Sequence, residues 1–216
     1  MRIMSFMDCA VRPEGARIVA LYEKWTMDWH EHSCVPPDAS VSVSKPNDLE
    51  VELRELHAAN FALWHEEDKA RDPSASDAEI SAAKRTIDRV NQLRNDQMER
   101  CDTILLQSLA QAGLLNPDAE PHSETPGLMM DRLSILSLKH YHTREELARA
   151  GAPRGHAERN LDRLRILTLQ RDELAANLDR LWRRVLDGER TFRVYRQLKM
   201  YNDPDLNPVL YRTSAQ

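Results

Sequence analysis

The sequence predicts an all-α fold: an up-and-down bundle of four to five long helices that ends in an ordered C-terminal loop. Apolar side chains recur at helical spacing through long segments, and short connections with Gly or Pro separate these segments. Aromatic residues make up only 6% of the chain and there are 6 glycines, which disfavours an all-β fold. Long amphipathic helices joined by short connections are typical of a bundle whose neighbouring helices alternate in direction.

Helix boundaries are predicted from capping residues and breakers. Ser76 and Glu79 match a capping box, and Thr125 precedes a proline at the first helical position. Gly151 and Gly188 follow the last apolar positions of two segments and indicate helix ends. The predicted helices cover about 13–31, 47–71, 76–113, 125–150 and 156–187, with a short sixth helix at 189–200.

The chain is predicted to form one helical bundle domain over residues 47–216, preceded by an N-terminal helix and a Ser/Pro-containing linker over 1–46. The net charge is −5, although residues 154–216 carry 13 basic and 9 acidic side chains, so that end favours an anionic partner. The 3 cysteines form no CxxC motif, which indicates a reducing, cytoplasmic location. No membrane span and no nucleic-acid partner are expected.

Two helices carry a histidine and an aspartate at the same spacing but in opposite order. His57 and Asp68 share a face of the second helix, and Asp131 and His142 share a face of the fourth. These helices run parallel in an up-and-down bundle, so His57 is predicted to meet Asp131 and Asp68 to meet His142. An aspartate raises the basicity of its histidine, as in a general base. With Asp88 of the third helix, these residues form the predicted catalytic set: His57, Asp131, Asp88 and His142.

The third helix places Asp88, Asn91 and Asn95 along the border of its apolar face. A buried polar group without a partner costs about 1–3 kcal/mol, so such residues need a partner or a ligand. The loop at 199–208 contains two Asx-Pro steps, which favour fixed turns and a lid over one end of the bundle. The predicted substrate-binding residues are Asn60, Trp64, Asp68, Asn91, Arg94, Asn95, Arg132, Lys139, Lys199, Asn202 and Asp203.

The same polar residues are also explained by a satisfied network that fixes helix register. No metal and no cofactor are predicted. The Glu-x-x-His pairs of di-iron bundles are missing, and "HEED" at 65–68 and "KHYH" at 139–142 are not a specific ligand pattern. The sequence also contains no Gly-rich nucleotide loop and no GxSxG nucleophile elbow.

Four segments resemble a bacterial family known as domain of unknown function 4254. They are "LHAANFALWHEEDKARD", "AKRTIDRVNQLRNDQMERCD", "SETPGLMMDRLSILSLKHYH" and "VYRQLKMYNDPDLNP", in the expected order over about residues 50–210. Members of that family are often encoded among cell-surface polysaccharide and glycosyltransferase genes. The resemblance therefore implies a pathway, polysaccharide biosynthesis, and carries over no catalytic residue.

Three functions remain open at this point. The first is an enzyme or small-molecule binder of sugar or polysaccharide metabolism, whose ligand is phosphorylated or carboxylated because Arg and Lys recognise such groups. The second is a non-catalytic bundle that docks to a glycosyltransferase or self-associates as a homo-oligomer. The third is a chorismate-mutase-like lyase, suggested only by the mixture of Arg and Asp in "IDRVNQLRNDQMERCD".

Overall fold

The computed structural model describes residues 11–31, 48–198 and 206, and in this part of the chain five helices hold almost all of the regular structure. The all-α prediction is confirmed. A two-residue strand that follows the third helix pairs in parallel with another that follows the fifth. The elements are α1 (Gly15–Glu31), α2 (Leu49–Ala70), α3 (Asp77–Gln111), β1 (Glu120–Pro121), α4 (Pro126–Ala148), α5 (His156–Leu186) and β2 (Arg190–Thr191).

The capping residues read from the sequence start the helices. The Asp48 side chain accepts a hydrogen bond from the amide of Glu50 at the start of α2. Ser76 and Glu79 form a complete capping box at the start of α3, and Thr125 caps α4 ahead of a proline. These contacts satisfy amides that have no partner inside the helix. All five long helices lie within about two residues of their predicted bounds.

The second and fourth helices run parallel, as the bundle prediction requires. His57 of α2 contacts Ser134 of α4, and further along both helices Trp64 stacks on His142. Arg100 of α3 pairs with Glu52 near the start of α2, whereas Ile87, earlier in α3, clusters with Leu63 further along α2, so α3 runs in the opposite direction. Helices α2 to α4 therefore alternate in direction.

The first helix departs from this alternation, because α1 runs parallel to α2. Thr26 contacts His57, and one turn later the ring of His30 lies against Phe61. The C-terminal ends of α1, α2 and α4 consequently lie at the same end of the bundle. This end holds most of the aromatic and histidine rings described below.

One large apolar core joins all five helices. Helix α1 contributes an apolar stripe to this core, and Tyr22 of this stripe is fully buried. A smaller apolar cluster lies between α2 and α3. The α1 residues of the large core are Ile18, Val19, Tyr22, Trp25 and Trp29. Within the described ranges, no helix combines the length and apolar character needed to cross a membrane.

The predicted short sixth helix at 189–200 is wrong over its described part. Gly188 adopts a positive φ of 71° and ends α5, after which β2 pairs with β1 and residues 192–198 are irregular. Phe192 is buried in the core, and Arg196 and the amide of Gln197 bind the Glu99 carboxylate of α3. These tertiary contacts hold the segment extended. The predicted loop residues Lys199, Asn202 and Asp203, and the boundary at residue 47, lie outside the described residues.

Candidate functional site

A chain of hydrogen bonds runs through the core from α1 to α4. The Thr26 hydroxyl donates to the carbonyl of Tyr22 at 2.8 Å, so it accepts from Nε2 of His57, also at 2.8 Å. Nδ1 of His57 then accepts from the hydroxyl of Ser134 at 2.8 Å. These roles require a neutral imidazole. Burial lowers the pKa of His57 to about 3, in agreement with that requirement.

The chain continues to a buried aspartate. The amide of Asn60 donates to the Ser134 hydroxyl at 3.0 Å and to Asp131 at 2.9 Å. Nε and Nη2 of Arg94 donate to the two oxygens of Asp131 at 2.7 and 2.5 Å. Each side chain of this series is hydrogen-bonded to the next, which is typical of a network that fixes the register of packed helices.

The predicted hydrogen bond between His57 and Asp131 does not form. Both ring nitrogens of His57 are bound to hydroxyls, and Asp131 is bound to Asn60 and Arg94. His57 binds Ser134 at a sequence offset of 77, and Asn60 binds Ser134 and Asp131 at offsets of 74 and 71, so these contacts lie on both sides of the predicted offset of 74. The two helices therefore face each other close to the predicted register, and what differs is the choice of hydrogen-bond partner. Apolar periodicity fixes which face of a helix is buried, but it does not fix which polar side chains of two facing helices bind each other.

The second predicted pair is also not hydrogen-bonded. His142 Nδ1 contacts Glu145 at 2.7 Å, and its ring stacks on Trp64 with centroids 4.6 Å apart. Asp68 is exposed and has no hydrogen bond to His142. Asp88 is exposed on the outer face of α3, where it is ion-paired with Lys84.

Five of the predicted binding residues line a single cavity. This cavity has a volume of about 390 Å³ and lies among α2, α3 and α4. Its polar wall borders the apolar side chains of Leu63, Ile135 and Leu138. The five predicted residues are Asn60, Trp64, Asp68, Asn91 and Arg94.

Arg94 is the anchored cation of this cavity. Asp131 holds its Nε and Nη2 atoms, which leaves the two N–H groups of Nη1 for another acceptor. A quarter of the Arg94 side chain is exposed, at 25%, against 4% for that of Asp131. The side chains of Asp68 and Asn91 make no hydrogen bond to any described residue. Three polar groups with free hydrogen-bonding capacity therefore border one space.

A larger groove of about 790 Å³ lies between α4 and α5 and contains the predicted residues Arg132 and Lys139. Most of its positive charge is neutralised locally. Arg132 pairs with Glu124, and two other arginines of the groove pair with Glu189 and Glu120. Asn95 lines a third, very small cavity near Asp102. Trp64 and Lys139 also line a further cavity of about 400 Å³, together with His142 of the predicted catalytic set. The predicted binding residues that the structure describes are thus divided among four cavities.

Three histidines that no local motif connects come together near the cavity. His30 of α1, His65 of α2 and His142 of α4 each place a ring nitrogen within 4.8 Å of the others. Their sequence positions show no ligand spacing, because each lies on a different helix. Only the packing of α1 against α2 and α4 brings them together.

Comparison with known protein families identifies the chain. The family described as "Protein of unknown function (DUF4254)" matches residues 50–194. The chain belongs to the DUF4254 family. The resemblance seen in the sequence is thereby confirmed over residues 50–194, whereas its last segment, 194–208, lies almost wholly beyond the match. The cavity residues all lie within the matched segment, and α1 lies before it. No curated protein and no solved structure matches the chain.

Proposed function

We propose that this DUF4254 protein binds a sugar metabolite bearing a carboxylate or phosphate in the cavity among α2, α3 and α4, and serves cell-surface polysaccharide metabolism. One observation carries the proposal: Arg94, Asn91 and Asp68 present unused hydrogen-bonding groups to the same cavity. The link to polysaccharides rests on the genes that often accompany the family.

The chemistry of the cavity wall suits such a ligand. A sugar hydroxyl both donates and accepts hydrogen bonds, and the Asn91 amide and the Asp68 carboxylate supply the complementary groups. Nη1 of Arg94 suits an anionic oxygen, and the bidentate contact with Asp131 fixes its direction before a ligand arrives. The volume of about 390 Å³ is in the usual range for small-molecule sites.

Asp68 is the catalytic candidate within this proposal. It combines an exposed carboxylate with a position on the cavity wall, so it can take a proton from a ligand hydroxyl. His57 and Asp131 are buried and their polar atoms are bound to protein groups. Their contacts favour a supporting role, in which they hold Asn60 and Arg94 in place.

Isothermal titration calorimetry on the full chain tests the binding site. We expect glucuronate or glucose 1-phosphate to bind more tightly than glucose, because only the charged ligands engage Arg94. Asn91→Ala should weaken binding about fivefold to tenfold, the effect of one lost hydrogen bond. Asn95→Ala is the matched control, since it lies one turn further along α3 and lines a different cavity.

The proposal fails if none of the three compounds binds the wild-type protein. It also fails if the Asn91 and Asn95 variants bind a ligand equally well, because the site then lies elsewhere. Arg94 is unsuitable for this comparison. Its removal leaves the buried Asp131 carboxylate without its cation, which costs about 3–5 kcal/mol of stability.

A further inference from the structure

The three converging histidines lie at the end of the bundle where α1, α2 and α4 have their C-terminal ends. The ring centroids of His30 and His65 are 5.5 Å apart with planes inclined at 62°, those of His30 and His142 are 5.1 Å apart at 75°, and those of His65 and His142 are 5.9 Å apart at 85°. The rings are therefore directed edge to face around a common space. None of the three pairs is stacked in parallel.

This spacing matches three imidazoles around one metal ion. At a metal–nitrogen distance of about 2.0–2.1 Å, tetrahedral geometry places the ring centroids about 5 Å apart and the bound nitrogens about 3.4 Å apart. The observed centroids already have nearly this separation. The nitrogen atoms lie within 4.8 Å of one another, so at most about 1.4 Å of closure is needed, within reach of side-chain rotation.

The hydrogen bonds of two rings leave the metal-binding nitrogen free. His30 Nδ1 lies 2.8 Å from the carbonyl oxygen of Thr26, which only accepts, so the proton is on Nδ1. His142 Nδ1 likewise donates to Glu145 at 2.7 Å. In a neutral ring, Nε2 then carries a lone pair. Nε2 of His30 and of His142 are both buried and have no hydrogen-bond partner.

The groups around the three histidines favour neutral imidazole rings and would attract a bound cation. Burial lowers the pKa of His65 and of His142, which favours the neutral imidazole that binds a metal. Glu145 is placed as the carboxylate that orients a ligating histidine from outside the metal's own shell. Asp68 is close enough to act on the charge of both rings, and its negative charge would attract a cation.

We propose that His30, His65 and His142 bind a divalent transition-metal ion. Three imidazole nitrogens suit Zn²⁺, Co²⁺ or Ni²⁺, and three protein ligands leave a position for water or another molecule. The ion would supply the missing partner of the two buried Nε2 atoms, those of His30 and His142. The site is distinct from the proposed sugar cavity, although Trp64 stacks on His142 and also lines that cavity.

Cobalt titration of the tag-free full chain, first dialysed against EDTA, tests the site. We expect one Co²⁺ per chain and a visible absorption band characteristic of nitrogen ligands, which Zn²⁺ abolishes by competition. His65→Ala and His142→Ala should each weaken binding at least about 100-fold, and Glu145→Gln about tenfold. His140→Gln is the matched control, because His140 lies on α4 but faces Glu23.

Circular dichroism of each variant must match that of the wild type, and Glu145→Gln keeps the test open should an alanine variant unfold. The proposal is overturned if the wild type gives no saturable cobalt spectrum. It is also overturned if the folded His65→Ala, His142→Ala or Glu145→Gln proteins bind cobalt as tightly as His140→Gln does. Neither result depends on whether a sugar binds in the neighbouring cavity.

Discussion

Two buried titratable residues have their pKa values shifted so that their effects on stability oppose each other. Burial lowers the pKa of His57 from its ordinary value of 6.5 to about 3. Its contribution to the free energy of unfolding is therefore fully present above about pH 6.5 and is lost as the pH falls toward about 3. Burial raises the pKa of Asp102 to about 6, against the effect of hydrogen bonds from Thr125 and Gly127. The folded state therefore holds the Asp102 proton more tightly than the unfolded chain. Its contribution is present at low pH and is lost as the pH rises through about 6.

Replacing Asp102 with asparagine should reveal the pH dependence of stability that His57 causes. Between about pH 4 and 6 the two contributions change by about 1.4 kcal/mol per pH unit in opposite directions, so they nearly cancel in the wild type. The asparagine side chain does not titrate, so in the variant only the histidine contribution changes. We expect the free energy of unfolding of Asp102→Asn to fall relative to wild type by about 2–3 kcal/mol as the pH is lowered from about 6.5 to about 4.

Urea denaturation at four pH values between about 4 and 7 measures this difference. Asp88→Asn is the control on the same helix, because Asp88 is exposed, and its profile should parallel that of the wild type. A constant difference between Asp102→Asn and wild type across the range would show that the Asp102 carboxyl is not perturbed by burial. Comparing each variant with the wild type at the same pH removes the effect of the other histidines on stability, because both proteins contain them.

At the scale of the helices, sequence reasoning was accurate for starts, ends and buried faces. The capping residues Asp48, Ser76 and Thr125 act through local hydrogen bonds, which sequence spacing specifies. The wrong pairing of His57 with Asp131 has a different origin. The Asp131 carboxylate binds Asn60 and Arg94 instead, and this choice of partner is a tertiary property. The incorrect sixth helix likewise reflects the burial of a single side chain, Phe192.

Gly127 sets the distance between α3 and α4. A Cβ atom at this position would lie 2.5 Å from the carbonyl oxygen of Met98, a backbone atom of α3 that cannot move alone. Gly127→Ala should therefore force the helices apart and destabilise the protein by about 3 kcal/mol, the upper end for overpacking. The better helix propensity of alanine, about 1 kcal/mol, does not offset this.

Gly151→Ala is the control, because alanine at this position strains the backbone but does not crowd a neighbouring helix. Gly151 has a φ of 72° and nothing within 4 Å of an added Cβ, so its replacement should cost only about 1–2 kcal/mol of backbone strain. Guanidinium denaturation of both variants gives the comparison. Equal losses, or a smaller loss at Gly127, would contradict the expected overpacking between α3 and α4.

At the scale of the whole molecule, the proposed metal site shows what sequence reasoning missed. The polar wall of the cavity was found because its residues interrupt apolar faces at regular spacing. His30, His65 and His142 follow no common spacing, since α1 reaches α2 and α4 only through the folded core. The segment that connects α1 to α2 is too long to define a helix direction, so the parallel arrangement of these helices was not predictable.

Helix α1 also raises the question of what forms the folding unit. The matched family segment begins at residue 50, yet α1 supplies five side chains to the large apolar core. Burying one large apolar side chain contributes about 1.5–3 kcal/mol, so these five contribute about 8–15 kcal/mol before the conformational entropy lost in ordering α1 is subtracted. Without α1, the apolar surfaces that it covers on the other helices are exposed to water, and whole domains are stable by only about 5–15 kcal/mol. The segment from residue 48 onward should therefore not be stable without α1.

Expression of residues 48–216 alone tests this expectation. We expect the fragment to lack the near-ultraviolet circular dichroism of the full chain and to show no cooperative urea transition, because the surfaces that face Tyr22 and Trp29 become exposed to water. A synthetic peptide of residues 11–31 added in excess should restore part of the signal, whereas a peptide with Tyr22→Ala and Trp29→Ala should not. A fragment that unfolds cooperatively, at the same urea concentration as the full chain, would show that α1 is an appendage to a bundle that is complete without it.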